Sequence, residues 1–303
     1  MKVVGRLTFR HLSIFVCVCD TGNMTAAGEK LLMAQPSVSQ AIMEMEKRYG
    51  VKLFERLGKK LYITMAGKKL LSYARHIINL HEEMNRGMQE IKDGGGVLRI
   101  GASVTIGACI LVEIVQNFNK LYPNIKIETL VDNTKIIEEM LLVDEVDIGL
   151  IEGTVRSREI ILQPFMDDEL VLICGPQHRW RNKPFITISE LENTDFVIRE
   201  KGSGTRELFE SVMAVHGIQW RESWICNNAE TIKNAVQAGI GVSVISKMVV
   251  EDEVENGNLS IVKIKDVRFT RKFNIAFHKN KYITEVITSL IDCVNLPDFV
   301  QTT

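Results

Sequence analysis

A glycine-rich turn between a predicted strand and a predicted helix is the part of this sequence best suited to bind a ligand. It runs from Arg199 to Arg206 with the letters REKGSGTR. Its glycines let backbone N–H groups approach a ligand, Ser203 and Thr205 offer hydroxyl groups, and a helix N-terminus favours negative charge. Arg199, Lys201 and Arg206 add positive charge. The turn therefore predicts a site for a small anion; the alternative is an ordinary glycine turn with a capping threonine.

A second turn of the same kind, with the letters GASVTIG, spans residues 101–107. If the two turns face each other, both helix N-termini point into one cleft, and donors on its opposite sides form a closing clamp. Thr154 and Asn228 follow or precede other predicted elements and would complete the rim of this cleft. For these two residues the alternative is an ordinary helix cap.

Sequence motifs of catalysis are absent. There is no GxxxxGK[ST], GxGxxG, GxSxG or HExxH pattern, and the six histidines lie in no recognisable catalytic setting. The six cysteines form no CxxC pair and have no metal-ligand spacing. The sequence therefore predicts no catalytic residue, no metal site and no cofactor, apart from the small anionic effector.

A nucleic-acid-reading helix is predicted near the N-terminus, from Pro36 to Tyr49. Proline fits the first turn of a helix, and Gly50 is placed to end it. Val38, Ile42, Met45 and Tyr49 recur at helical spacing and are expected to face a core, so the opposite face is small and polar.

Two shorter helices precede this one. Leu12, Phe15, Val16 and Cys19 form an apolar stripe that Gly22 ends, and Asn23 can cap a second helix. Small residues at positions 27 and 28 allow close helix packing, as in a helix-turn-helix, whose last helix enters the major groove. Two alternating runs around Gly58 then predict a hairpin, or wing, that carries Arg56, Lys59 and Lys60 to the phosphates.

The remaining chain contains a long helix, a break and an alternating α/β region. Residues 65–92 predict a helix that pairs with its copy in a second subunit, and residues 93–96, with three glycines, predict a hinge. Strands are predicted at 97–102, 125–131, 147–151, 170–174, 196–199, 242–245 and 272–277, with helices at 107–122, 134–143 and 283–294 and others starting near 205 and 230. Over residues 97–151, the alternating order of strands and helices indicates parallel strands with crossover helices, and the strands at 170–174 and 196–199 are expected to belong to a second unit.

Charge is distributed unevenly along the chain. The overall formal charge is -1, but residues 1–65 carry ten basic and five acidic groups, and the remainder carries 27 basic and 33 acidic groups. A basic end on an acidic body suits binding of a polyanion by one part of the protein. The sequence has no signal-peptide pattern and no apolar run of membrane-spanning length. With cysteines that suggest no disulfide, a soluble cytoplasmic protein is expected.

A family resemblance rests on the N-terminal residues. Thr25-Ala26-Ala27, Gln35-Pro36-Ser37-Val38-Ser39, Leu53-Phe54-Glu55-Arg56 and Thr64-Met65-Ala66-Gly67, with Leu31, Ile42, Glu46 and Gly50, resemble the N-terminal domain of the LysR-type transcriptional regulators. Gly28 stands where the family usually has alanine. The GSGTR letters resemble those of family members that control sulfur assimilation and carbon fixation, whose effectors are small anions or phosphorylated metabolites.

The resemblance implies a fold for the whole chain. It implies an N-terminal all-α winged helix-turn-helix (1–64), a linker or dimerisation helix (65–92), a hinge (93–96) and an α/β effector domain (97–303). The effector domain would have the two-lobed fold of a type 2 periplasmic binding protein. Lobe one would be 97–163 with 268–303, and lobe two 164–267.

The resemblance also implies partners and site residues. The partners are double-stranded DNA with a dyad-symmetric operator, a small-molecule effector, and copies of the chain in a dimer or tetramer; RNA polymerase is a further candidate, and no membrane is expected. The predicted DNA-binding residues are Thr25, Gln35, Pro36, Ser37, Ser39, Gln40, Arg56, Lys59 and Lys60. The predicted effector-binding residues are Ser103, Val104, Thr105, Thr154, Arg199, Gly202, Ser203, Gly204, Thr205 and Asn228.

One alternative belongs to another functional class. A small-molecule receptor or enzyme with the binding-protein fold could carry an N-terminal domain that only contacts other proteins. The positive charge and the intact wing of the N-terminal region argue against it, because a protein-interaction module needs neither.

Overall fold

The computed structural model describes residues 7–57, 60–93 and 96–295. The chain divides into two compact units, Met1–Gly94 and Gly95–Thr303. Across the described residues, no helix combines the length and the apolar composition needed to cross a membrane.

Three helices open the first unit, and each ends or begins where the sequence predicts. They are α1 (Phe9–Thr21), α2 (Met24–Lys30) and α3 (Gln35–Tyr49). Gly22 and Gly50 end α1 and α3 with φ angles of 63° and 68°, a left-handed conformation that glycine adopts without steric strain. The side chain of Asn23 accepts the backbone N–H groups of Thr25 and Ala26 and so caps α2.

The core of the first unit lies where the three helices meet. Phe15, Ala27 and Val38 are completely buried, and Met45 is nearly so. The expectation that Tyr49 joins them is wrong, because Tyr49 is 43% exposed. As the last residue of α3, it lies one turn beyond the point where the helix packs on its neighbours.

A hairpin and a long helix complete the first unit. β1 (Phe54–Leu57) and β2 (Lys60–Ile63) pair antiparallel, which confirms the predicted wing. α4 (Met65–Asp93) follows the predicted helix to within a residue. Positions 94 and 95 of the predicted hinge lie outside the described residues, and position 96 already begins a strand.

The strands of the second unit are β3 (Gly96–Ser103), β4 (Ile125–Asp132), β5 (Ile148–Glu152), β6 (Ile160–Cys174), β7 (Asp195–Arg199), β8 (Arg221–Cys226), β9 (Ser243–Ser246), β10 (Ser260–Val262) and β11 (Phe269–His278). Seven of them form one sheet with the path β10-β6-β11-β5-β3-β4 and with β9 beside β6, while β7 and β8 pair with each other. β3 pairs in parallel with both β4 and β5, which confirms the crossover topology predicted for residues 97–151. The helices are α5 (Val104–Cys109), α6 (Leu111–Leu121), α7 (Thr134–Leu142), α8 (Gly204–Val215), α9 (Ala229–Gln237), α10 (Glu251–Glu255) and α11 (Glu285–Val294).

Two long antiparallel strands, β6 and β11, pair over ten positions, with an irregularity between Phe273 and Asn274. The sequence predicts only the last third of β6. Its first part includes a proline and three consecutive acidic residues, which break the alternation of apolar side chains on which strand prediction depends.

Three further differences from the predictions concern local signals. The predicted helix 107–122 is two helices, because Ile110 between them has a φ of -129°, outside the helical range. β8 was not predicted, and its first five residues are exposed, so no buried face marks it. The sequence analysis also does not predict the short elements β10 and α10.

The apolar core of the second unit forms separate groups. One group packs β3, β5 and β11 against α6 and α11 and includes Phe118 and Leu290. Another packs the end of β6, with β7 and β9, against α8 and includes Trp180, Phe196 and Phe209. β6 and β11 therefore contribute to more than one core, and the candidate ligand site lies where Arg271 of β11 pairs with Asp168 of β6.

Candidate ligand site and nucleic-acid interface

The turn after β3 presents a serine whose hydroxyl group has no structural use. Ser103 is completely buried and occupies the N-cap position of α5, yet its side chain makes no capping hydrogen bond. N-cap side chains normally accept a backbone N–H from the first turn. Asn133 and Thr284 do so at the starts of α7 and α11. The Ser103 hydroxyl group therefore does not cap α5.

The glycine-rich turn after β7 ends in a second serine of the same kind. Ser203 is 1% exposed and is the N-cap residue of α8, again without a capping hydrogen bond. Gly202 has a φ of 94°, and a Cβ there would lie 3.0 Å from the Cβ of Lys135. Glycine at 202 therefore gives the chain the left-handed turn that brings Ser203 into a buried position.

The end of β5 lies directly against the start of α8. A Cβ on Gly204 would lie 2.5 Å from the carbonyl oxygen of Glu152, and a Cβ on Gly153 would lie 2.9 Å from the Cα of Gly204. The Lys135 N–H also donates to the Gly202 carbonyl at 3.1 Å. The predicted proximity of the glycine-rich turn to the opposite part of the unit is therefore present in the structure.

Arg271, the third residue of β11, connects the two predicted threonines. Its Nη1 donates to Thr205 Oγ1 at 3.0 Å and its Nη2 to Thr105 Oγ1 at 3.3 Å, while its Nε donates to Asp168 Oδ2 at 2.6 Å. All four side chains are buried. One guanidinium group thus bridges the starts of α5 and α8 and is held in place by a carboxylate on β6.

Glu152 is the second carboxylate of this cluster. Its Oε1 accepts from Thr105 Oγ1 at 3.2 Å and lies 3.7 Å from Arg271 Nη1. Burial raises the pKa of Glu152, against the lowering effects of the Arg271 and Arg199 charges and of the Thr105 hydrogen bond. Asp168 Oδ1 in turn accepts from Ser246 Oγ at 2.6 Å.

Buried polar atoms at this site lack partners. No protein atom among residues 7–57, 60–93 and 96–295 forms a hydrogen bond with Ser103 Oγ, Ser203 Oγ or Glu152 Oε2, each of which is fully enclosed. Buried polar groups in proteins are nearly always hydrogen-bonded. Ser103 and Ser203 lie two residues before the threonines that Arg271 contacts, and Glu152 lies 3.7 Å from Arg271. The three atoms therefore indicate a site built for a polar ligand.

The sequence missed Arg271, Asp168 and Glu152. A signal was present, since Arg271 lies between Phe269 and Phe273 in an alternating pattern that leads into a predicted strand, and a buried cation needs a partner. The identity of its partners could not be read from the sequence, because Arg271 lies 103 residues from Asp168 and 166 from Thr105.

The cations of the glycine-rich turn are already engaged by protein carboxylates. Arg199 donates to both oxygens of Glu200 at 2.8 and 2.9 Å, and Arg206 donates to Glu210 and Glu222 at 2.7 and 2.9 Å. Contact between either arginine and a ligand stays a prediction.

The other predicted rim residues have local roles. Thr154 is exposed and donates to Glu207 of α8 at 3.4 Å. Asn228 caps α9 by accepting the Thr231 N–H at 2.8 Å. Val104 is the first residue of α5 and is half-buried. An effector contact by these residues stays a prediction.

A separate open cavity of about 810 Å³ lies along β6 and β10 and the approach to β11, with Lys247, Lys263 and Arg268 in its lining. None of the predicted effector residues lines it. The buried cluster around Arg271 is the better candidate for a specific site, because its polar atoms are oriented and enclosed.

The polar face of α3 is exposed as predicted. Pro36, Ser37 and Gln40 are exposed, and Gln40 Nε2 donates to Glu44 Oε1 at 2.8 Å. Gln35 Nε2 donates to Ser39 Oγ at 3.0 Å. The side chains predicted to read bases thus lie at the start and on one side of α3.

This surface continues onto α2 and the wing through a methionine. The sulfur of Met24 accepts from Ser39 Oγ at 3.1 Å and from Arg56 Nη2 at 3.7 Å. Thr25 is exposed in the first turn of α2. Lys59 lies outside the described residues, and Lys60 begins β2. The structure therefore brings Thr25, Ser39 and Arg56 onto one surface of the first unit.

Gly28 fixes the approach of α2 to the turn before α3. A Cβ at this position would lie 2.7 Å from the carbonyl oxygen of Met33 and 3.5 Å from the backbone nitrogen of Gln35. The close packing predicted from the small residues at 27 and 28 is thus present, and it is tighter at position 28 than an alanine would allow.

Comparison with protein families identifies the class to which this architecture belongs. The family model described as bacterial regulatory helix-turn-helix protein, lysR family, matches residues 9–68, and the model described as LysR substrate binding domain matches residues 92–295. The chain belongs to the LysR family of transcriptional regulators. Members of this family bind DNA, small-molecule effectors and copies of themselves, and they are regulators rather than enzymes.

Similar proteins match over nearly the whole chain. The HTH-type regulator YeiE of Escherichia coli (strain K12) is 33% identical over 94% of this chain and 96% of its own length. CysL of Bacillus subtilis (strain 168) is 34% identical over 87% and 88%, and a probable RuBisCO transcriptional regulator of Phaeodactylum tricornutum is 30% identical over 91% and 92%. The predicted resemblance to regulators of sulfur assimilation and carbon fixation is confirmed.

Similar structures include one that was solved with a small molecule bound. The regulatory domain of CcmR from Synechocystis PCC6803, solved in complex with 2-PG, has a TM-score of 0.63 and 25% identity, and the match covers 69% of this chain and 99% of that domain.

Proposed function

We propose that this LysR regulator responds to a small oxyanion bound between two lobes of its second unit, residues 97–163 with 268–303 and residues 164–267. One lobe supplies Ser103 and Thr105, the other supplies Ser203 and Thr205, and Arg271 joins them. A ligand shifts the equilibrium between lobe arrangements only by its differential affinity for them. A ligand that contacts both lobes has a different affinity for each arrangement of the lobes.

The observation that carries this proposal is the pair of N-cap serines whose buried hydroxyl groups make no capping bond. An oxyanion between Ser103 and Ser203 would accept from both hydroxyl groups and from N–H groups in the first turn of α8, which have no partner within the helix. Arg271, which already reaches both neighbouring threonines, would stabilise the negative charge.

The first unit would convert this binding into control of transcription. We expect a dyad-symmetric operator bound by a dimer or tetramer, with RNA polymerase as a further partner, in the cytoplasm. The exposed face of α3 supports base contacts, and the exposed Arg56 supports backbone contacts. Gln35, Ser37, Ser39 and Gln40 would approach bases or nearby phosphates, with Pro36 on the same DNA-binding face. The residues that would hold the DNA backbone are Thr25, Arg56, Lys59 and Lys60.

Thermal unfolding of the full-length protein with individual anions tests the effector assignment. Sulfate, sulfite, thiosulfate, phosphate, acetylserine and phosphorylated sugars form the panel. At about 100 times its dissociation constant, a ligand of the native state adds about 2.7 kcal/mol to the free energy of unfolding. We expect at least one anion to stabilise the protein and Ser103→Ala or Ser203→Ala to remove the effect.

Ser243→Ala is the matched control for these variants. Ser243 is also buried with an unpartnered hydroxyl group, but it lies in β9, paired with Ile173 of β6, and outside both turns. It should leave anion stabilisation intact. Absence of stabilisation by every anion, or equal loss in all three serine variants, would contradict the site.

A further inference from the structure

The carboxyl group of Glu152 has an oxygen that the protein leaves without a donor. Glu152 ends β5 and is 1% exposed. Its Oε1 accepts from Thr105 Oγ1, whereas no described residue donates to Oε2. A buried carboxylate oxygen without a hydrogen bond is strongly unfavourable, so this atom marks a place where a donor is expected.

The neighbouring charges do not neutralise Glu152 completely. Arg271 lies closer to Asp168, at 2.6 Å, than to Glu152, at 3.7 Å. Arg199, the other cation that acts on Glu152, forms its own close pair with Glu200. The groups that face Glu152 are therefore the Thr105 hydroxyl from α5, the Arg271 guanidinium from β11, the Asp168 carboxylate from β6 and, at longer range, Arg199 from β7.

An anion entering this cluster would meet two carboxylates and one guanidinium group. Ligand oxygens without protons accept hydrogen bonds but cannot donate them, and the same is true of an ionised carboxylate. Two such groups in contact repel each other, and in a buried site one proton must lie between them. Either the ligand brings this proton, or Glu152 takes it up from solvent.

We infer that Glu152 makes the effector site selective for oxyanions that carry their own hydrogen-bond donor. The donor is an acidic O–H, or a hydroxyl or ammonium group beside the anionic oxygens. An oxyanion without a donor binds only when Glu152 takes up one proton from solvent. This inference rests on the proposed oxyanion site and names the chemical class of ligand that the site accepts.

The direction of the pH dependence follows from this arrangement. Burial already raises the pKa of Glu152, and a bound anion raises it further because it disfavours the ionised form. Binding of an anion without a proton is thus coupled to proton uptake. Its affinity falls as pH rises above the pKa of Glu152 in the free protein, by up to about tenfold per pH unit.

Sulfate and phosphate form a matched pair of probes. Both are tetrahedral, and at about pH 8 sulfate carries no proton whereas phosphate retains one. Isothermal titration calorimetry on the full-length protein should show phosphate binding at least about tenfold more tightly than sulfate at that pH, because each pH unit above the pKa of Glu152 in the free protein weakens binding of the proton-free anion by up to about tenfold. Sulfate titrations in two buffers of different ionisation enthalpy should show uptake of one proton, which requires no variant.

Glu152→Gln tests the residue itself. The amide retains an acceptor for Thr105 and offers Nε2 as a permanent donor, so sulfate affinity should rise, its pH dependence should disappear, and the preference for phosphate should collapse. Glu253→Gln is the control, because Glu253 is another glutamate with an unpartnered, enclosed Oε2, paired with Lys233 instead. It should leave both affinities unchanged.

Two failures are distinguishable. Equal binding of sulfate and phosphate by the unaltered protein, without proton uptake and without a response to Glu152→Gln, would overturn the role of Glu152 and leave the oxyanion site in place. No binding of either anion by any of the proteins would overturn the oxyanion site and with it the inference.

Discussion

Two helices of the same unit begin with polar N-cap residues that the structure uses differently. Asn228 accepts the Thr231 N–H at 2.8 Å and so stabilises the start of α9. Ser203 makes no such bond at the start of α8. We predict that alanine at position 228 destabilises the protein, whereas alanine at position 203 leaves its stability nearly unchanged and weakens anion binding.

The magnitudes follow from the contacts that each substitution removes. Loss of a capping bond lowers the free energy of unfolding by about 1 kcal/mol. Ser203→Ala removes no such bond and deletes a buried hydroxyl group without a partner, so a change within about 0.5 kcal/mol is expected. A hydrogen bond from the same hydroxyl group to a charged ligand contributes about 1.5–3 kcal/mol, equivalent to roughly a 10- to 150-fold change in dissociation constant.

Tryptophan fluorescence is a suitable assay because all three tryptophans lie between residues 180 and 224. Trp220 packs on Phe209 of α8, with ring centroids 5.0 Å apart, and Trp224 lies in β8, which ends two residues before Asn228. Denaturant unfolding followed by tryptophan fluorescence therefore reports on the region of both caps. Anion titration of the folded variants supplies the affinities. If Ser203→Ala lowers stability as much as Asn228→Ala does, Ser203 is a structural cap and the reasoning for a ligand at α8 is refuted.

Three further predictions concern separate parts of the molecule. Although burial alone raises the pKa of Asp147, hydrogen bonds from Arg99 and the charge of Lys281 lower it from 3.8 to about 2. The lowered pKa adds about 2 kcal/mol to the free energy of unfolding above the unfolded-state pKa, and this contribution is lost as pH falls through the folded-state pKa. Urea unfolding at about pH 6 and about pH 3 should show roughly 1 kcal/mol of this loss in the unaltered protein, because pH 3 lies between the unfolded-state and folded-state pKa values, and Asp147→Asn should lack it. Gly204→Ala places a Cβ 2.5 Å from the Glu152 carbonyl oxygen and should abolish anion binding in titration calorimetry, while Gly87→Ala, in open space on α4, should not. Arg56→Ala should weaken binding to all duplex sequences and lower the salt slope by about one unit in filter-binding assays, and an unchanged slope would remove Arg56 from the phosphate contacts.

The elements that sequence reasoning predicted best are those with local causes. The ends of α1 and α3 at Gly22 and Gly50, and the start of α2 at Asn23, depend on residues next to them in the chain. The local sequence is therefore sufficient to predict these helix boundaries. The first part of β6 is not predicted, because its conformation depends on residues that are distant in the chain. Its acidic and proline residues are accommodated by ten pairings with β11, which no local pattern reveals.

The residues of the candidate site also fall into those that the local sequence predicts and those that only strand pairing brings together. Ser103, Thr105, Ser203 and Thr205 were predicted because each lies in a turn between a strand and a helix, where exposed N–H groups and hydroxyl groups follow from the local order of elements. That order also predicted that two such turns would occur and that small anions suit them.

The sequence by itself determined the class of protein, the positions of its turns and the small residues that shape them. Only the tertiary structure decided which charges meet there, because the sheet order places β11 between β5 and β6. That order brings Arg271 to Glu152 and Asp168, and leaves one oxygen of Glu152 without a donor. Contacts between residues more than a hundred positions apart depend on how strands pair, and strand pairing is a property of the whole sheet.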